Sequence, residues 1–96
     1  MAGHMSEGEA QDKEKFPYHH AIAEVLNGEV KPFDQYQGPY VKTGYGKFWI
    51  IWEDMRFKIY NERTGEESTY FPPRIKIEDF KGYFRSFVNS LTKEAV

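Results

Sequence analysis

Three large aromatic residues, Tyr40, Trp49 and Tyr60, alternate along the chain with Lys42, Lys47, Arg56 and Lys58. Rings set between cations on extended segments are the chemistry that grips single-stranded nucleic acid. Bases stack on the π faces while ammonium and guanidinium groups meet phosphates. Each stacked base contributes about 1–3 kcal/mol by alanine substitution, and every base offers a π face, so low sequence preference is expected. Arg63 and Arg74 fall at the rim of the same set. Phosphate contacts of this kind weaken with salt, with a log–log slope near −0.7 per neutralised phosphate on a single strand.

Other chemistries lack their residues. Cysteine is absent, which excludes a disulfide framework, a zinc ribbon and a thiol nucleophile. His19 and His20 are adjacent, so on a helix they point apart, whereas a metal pair wants i, i+4 spacing. Glu53-Asp54, Glu66-Glu67 and Glu78-Asp79 are neighbours in turns or at a helix start, where solvation explains them better than a converging acid–base pair. Ser68, Ser86 and Ser90 lack a nucleophile-elbow context. Gly44-Tyr45-Gly46 is not followed by the Lys-Ser/Thr and helix of a phosphate loop. The expectation is a binding module, not an enzyme, with no metal and no cofactor.

The elements that must carry the candidate residues follow from periodicity. Residues 17–27 predict a short helix: Pro17 suits a first turn, Tyr18, Ile22, Val25 and Leu26 share one face, and Asn27-Gly28 is a stop signal. Residues 29–39 contain Pro32, Gly38 and Pro39 and predict a linker. From Tyr40 the period becomes two, which predicts strands at 40–45, 47–53, 56–61 and 68–71, with 74–77 as a continuation of the last. Residues 62–67 form a polar hairpin loop with Gly65 near its middle. Over 78–92, Phe80, Tyr83, Phe84, Phe87, Val88 and Leu91 make one apolar stripe, an amphipathic helix. The expected fold is α+β: a four-stranded antiparallel sheet with a short N-terminal helix and a C-terminal amphipathic helix packed on one face.

Alternation then sorts the strands. The set without charge, Val41, Thr43, Phe48, Ile50, Trp52, Phe57 and Ile59, should meet the C-terminal helix. The other set holds Tyr40, Lys42, Lys47, Trp49, Ile51, Glu53, Arg56, Lys58 and Tyr60. A solvated sheet face is normally plainly polar, so its aromatics are expected to lie bare as a stacking platform. Two rivals use the same residues. The N-terminal helix would cover that face as ordinary core, or a second copy or another protein would cover it, making the chain a protein-interaction or structural module.

Ninety-six residues allow one domain. Met1–Met5 reads as a cloning scar, residues 6–15 as a disordered acidic tail, and 16–96 as the folded domain. The whole chain has a formal net charge of −2, with 11 charges of each sign in residues 16–96. An anionic partner must therefore be met by a local basic patch. No apolar run approaches the ~18 residues of a membrane span, and the polar N-terminus lacks an apolar signal core. A cytoplasmic, nucleoid or nuclear location without secretion is expected.

Phe57-Lys58-Ile59-Tyr60, then Thr64-Gly65-Glu66, then Ile75-Lys76-Ile77, then Phe80 after Glu78-Asp79 follow in this order. Over roughly residues 40–92 that order resembles the Pur, positive-cofactor and Whirly class of single-stranded nucleic-acid binders. Where that class carries a Gly- and Lys-rich loop, this chain has Phe71-Pro72-Pro73-Arg74. The resemblance implies single-stranded DNA or RNA as partner and, since such domains generally pair, a homodimer.

Overall fold

A computed structural model describes residues 12–32 and 38–94 of the chain. Helix α1 spans Pro17–Leu26, with Pro17 in its first turn and Asn27 at its end in the left-handed conformation (φ 53°). Asn tolerates that region better than most residues, so Asn27 takes the position expected of Gly28. Gly28 serves a different need: a Cβ there would lie 2.6 Å from the Lys42 carbonyl oxygen. That close approach starts a strand. β1 (Glu29–Lys31) is followed by β2 (Tyr40–Thr43), β3 (Gly46–Glu53), β4 (Arg56–Asn61) and helix α2 (Ile77–Glu94). Among the described residues the four strands form one antiparallel sheet in the order β1-β2-β3-β4.

The strand count matches expectation, but one member differs. β1 lies in the stretch read as a linker. Three residues between Gly28 and Pro32 give almost no alternation to detect, yet Val30 pairs with Val41 and is buried. Residues 68–71 run beside β4 without forming a ladder; only Phe57–Phe71 and Tyr60–Glu67 pair. The reason is a side chain: the Ile59 N–H donates to Ser68 Oγ (2.8 Å), which replaces the carbonyl a strand would offer. Residues 74–77 are not a strand either, since the chain turns after Pro72-Pro73 and Ile77 opens α2.

Both helices pack on one face of the sheet. Phe48, Phe57, Phe80 and Phe84 are fully buried, joined by Ile22 and Ala21 of α1 and by Val41 and Ile59. Burying one such side chain contributes about 1.5–3 kcal/mol. Tyr18 ties the layers together. Its ring lies 4.7 Å from Phe57 and 5.2 Å from Phe80, and its hydroxyl donates to the Ile75 carbonyl (2.7 Å). Burial raises that hydroxyl's pKa. Glu24 on α1 pairs with Lys81 on α2 at 2.7 Å, which lowers the pKa of the carboxyl and raises that of the ammonium. The loop after β4 is pinned by Asn61, itself fully buried, whose Oδ1 accepts from the Thr64 N–H and whose Nδ2 donates to the Tyr45 carbonyl.

On α2 the stripe of Phe80, Phe84, Val88 and Leu91 is buried as expected. Tyr83 is not: it is 63 % exposed. It stands on the flank of the stripe, with Phe71 as its aromatic neighbour at 6.2 Å. No helix among the described residues is long and apolar enough to cross a membrane.

Candidate functional site

The sheet register places the expected outward set together. Lys42 stands opposite Lys47, Trp49 opposite Tyr60, Ile51 opposite Lys58 and Glu53 opposite Arg56. Their partners on the core face, Val41–Phe48, Ile50–Ile59 and Trp52–Phe57, also agree with the alternation.

The expectation that Tyr40 and Trp49 lie bare is corrected. Trp49 is 6 % exposed and Tyr40 9 %. The two rings meet at 4.9 Å, and the Trp49 indole N–H donates to Glu62 (3.2 Å). The cover does not come from α1, which packs on the opposite face with the core. The rings close on each other because Tyr40 and Trp49 are lateral neighbours on adjacent strands, within reach of large side chains. Lys47 completes the stack, its Nζ 4.9 Å above the Tyr40 ring.

The cations are divided as well. Lys58 Nζ lies 3.0 Å from Glu67 and 3.2 Å from Glu53, and 5.2 Å above the Tyr70 ring. The hydrogen bonds it donates to Glu67 and then Glu53 raise its pKa. Tyr70 donates to Glu53 (2.7 Å), and that bond, followed by Lys58, lowers the Glu53 pKa. Lys58 therefore has its acidic partners built in. Arg56 is exposed but its guanidinium carbon lies over the Tyr70 ring, 3.8 Å from the ring centre. Lys42 and Arg63 are exposed, and Tyr60 is half-buried. Arg63 packs over Gly46 with a long 3.5 Å contact to the Gly44 carbonyl, so Lys42, Lys47 and Arg63 gather at the β2–β3 turn. Arg74 stands apart, exposed in the turn before α2.

A second surface was not anticipated. Among the described residues four large apolar side chains are exposed: Trp52 (54 %), Met55 (81 %), Tyr70 (37 %) and Tyr83. All four belong to the end of the molecule capped by the β3–β4 turn. Trp52 packs on Phe57 in a tilted arrangement at 4.9 Å, Phe57 stacks on Phe71 at 5.3 Å, and Phe71 leads to Tyr83. Tyr70 and Tyr83 face one recess of about 330 Å³. Trp52 borders a larger cavity of about 580 Å³ between β3 and the start of α1. The turn at the tip, Asp54-Met55, has both residues at positive φ (52° and 65°). Neither is glycine, although this two-residue turn normally favours Asn-Gly.

His19, on the wall of the larger cavity, is buried and hydrogen-bonds the Pro39 backbone. Burial outweighs that bond and pulls its pKa down to about 4, so the imidazole is neutral at pH 7. No cluster of three or more metal-capable side chains occurs among the described residues.

Neither a family model, nor a curated protein, nor a solved structure matches this chain.

Proposed function

We propose that the chain is a non-catalytic module that docks a protein partner on the end of the sheet capped by the β3–β4 turn. The observations that carry this reading are the exposure of Trp52, Met55, Tyr70 and Tyr83 and their positions: Trp52 and Met55 at the β3–β4 turn, Tyr70 bonded to Glu53 and Tyr83 beside Phe71. Exposed apolar patches of this kind mark association sites. Trp, Tyr, Met and Arg are the residue types enriched in protein interfaces, and Arg56, over the Tyr70 ring, adds a cation. Strain at Asp54-Met55 is consistent with a tip kept in place for contact rather than for stability.

The test is affinity capture on the immobilised chain, with a Trp52→Ala/Tyr83→Ser double variant as control. Proteins retained by the unmodified chain and released by the folded variant support the proposal. Identical retention by both contradicts it.

Single-stranded nucleic-acid binding, as the resemblance to the Pur, positive-cofactor and Whirly class implies, is the second reading. The observation in its favour is the Lys42–Lys47 pair with Arg63 at the β2–β3 turn. Binding there would use phosphate contacts with Tyr60 as the nearest half-open ring, since Tyr40 and Trp49 are occupied with each other. Titration with fluorescent oligo-dT at two salt concentrations tests it; absence of binding at low salt removes it.

A further inference from the structure

Asp79 and Tyr83 stand four residues apart on α2, so they share one face of the helix. With Tyr70, Phe71, Pro72 and Ile75 they line the recess of about 330 Å³. Phe71 is buried, whereas Tyr70, Pro72, Asp79 and Tyr83 are exposed. The recess is therefore open to solvent on its aromatic and acidic sides.

Its walls are fixed before any ligand arrives. Phe71 exchanges backbone hydrogen bonds with Phe57 (3.2 and 2.6 Å). The Ile75 N–H donates to the Pro72 carbonyl (3.3 Å), and the Tyr18 hydroxyl donates to the Ile75 carbonyl (2.7 Å). Walls that need no ordering lower the cost of binding.

The chemistry of the recess is narrow. Two phenol rings border it, and Asp79 brings the only formal charge among its lining residues. Among the described residues the Asp79 carboxylate has no ion pair and no hydrogen bond. On the outer face, by contrast, Glu53 and Glu67 both hold Lys58. An unmatched carboxylate beside two aromatic rings calls for a cation with a flat or apolar body. The chain already makes that contact once, with the Arg56 guanidinium carbon 3.8 Å from the centre of the Tyr70 ring.

We infer that the recess takes an arginine side chain of the protein partner, its guanidinium on Asp79 and the Tyr83 ring and its stem along Pro72 and Ile75. The inference rests on the docking reading above and names what the partner must bring. The volume lies at the small end of ligand sites, about 300–1,000 Å³, which suits one long side chain and not a helix. Arginine suits it better than lysine. Its guanidinium is planar and weakly hydrated, stacks on aromatic faces and meets a carboxylate with two parallel hydrogen bonds. A phosphate is repelled by Asp79, so the recess does not serve nucleic-acid binding.

The probe is acetyl-Gly-Arg-Gly-amide, titrated into the isotope-labelled full chain and followed by amide NMR. Its lysine and citrulline forms are the controls, citrulline keeping the shape of arginine without its charge. The expected result is saturable shifts at Tyr70, Asp79 and Tyr83 with the arginine form. The lysine form should bind about tenfold more weakly, and the citrulline form should give no saturable shifts. Asp79→Asn should abolish the shifts, and Tyr83→Leu should weaken binding by roughly three- to tenfold. Should either variant fail to fold, the peptide series decides. Equal affinity for arginine and citrulline, or shifts centred on Glu53 and Glu67, overturns the inference. Absence of saturable shifts with the arginine form also overturns it. Docking on this end of the molecule then still stands if the Trp52→Ala/Tyr83→Ser variant loses the captured protein, and falls if it does not.

Discussion

Trp52 and Phe57 face each other across β3 and β4 with their rings 4.9 Å apart, yet Phe57 is fully buried and Trp52 is more than half exposed. The difference is cover. Phe57 lies under Tyr18, Phe71 and Phe80, while Trp52 projects past the helices beside the turn. Truncating the two should therefore have unequal effects. Phe57→Ala is expected to cost about 3–5 kcal/mol, the range for a buried Phe. Trp52→Ala should cost about 1 kcal/mol or less, because most of what it loses is already hydrated. Urea unfolding of both variants checks the contrast; equal losses would mean that Trp52 is core.

The Asp54-Met55 turn holds two non-glycine residues in the left-handed region; Asp tolerates it, but Met55 carries a penalty of roughly 1–2 kcal/mol. Replacing the pair by Asn-Gly suits the same turn without that penalty. The double variant should raise stability by about 1 kcal/mol, seen as a higher urea midpoint with unchanged slope. If Met55 anchors a partner, the same variant should bind captured protein more weakly, so stability and binding move in opposite directions.

Acid should weaken the fold earlier than its carboxylates alone would cause. His19 has a folded pKa near 4 against about 6.5 when unfolded. A lowered folded pKa means the unfolded state binds more protons, so stability is complete above about pH 6.5 and falls as the pH drops towards 4. The loss approaches roughly 3 kcal/mol at the bottom of that window. Denaturant midpoints between pH 7 and 4.5 should fall for the unmodified chain and stay nearly flat for His19→Phe, which cannot titrate.

Lys58 and Lys42 should part company in any oligonucleotide titration. Lys58 is held by Glu53 and Glu67, so Lys58→Gln should leave oligo-dT affinity unchanged. Lys42→Gln and Lys47→Gln should each weaken it and reduce the salt slope by about 0.7. A large effect at Lys58 with none at Lys42 would place phosphate contacts on the β3–β4 side of the face.

Much of this geometry could be read from residue order. The period-two runs located β2, β3 and β4, the uncharged alternate set located the core face, and the Phe stripe located α2. Exposure could not be read in the same way. Nothing in the alternation shows that Tyr40 and Trp49 stack on each other, or that Glu62 takes the indole proton, because those contacts cross between strands and a loop. Nor does it show that Glu67, from a segment that never forms a ladder, reaches Lys58. Parity places Trp52 on the core side, which is the direction it points, although it is more than half exposed. Its position next to a two-residue turn was the available sign that helix cover would end before it.

The chain has two tryptophans, and their relative access to solvent bears most directly on where its binding surface lies. Acrylamide quenching of Trp49→Phe, which leaves Trp52, and of Trp52→Phe, which leaves Trp49, separates them. The expected result is strong quenching from Trp52 and weak quenching from Trp49. Strong quenching from Trp49 with a shielded Trp52 would contradict it and return the exposed aromatic surface to the outer face of the sheet.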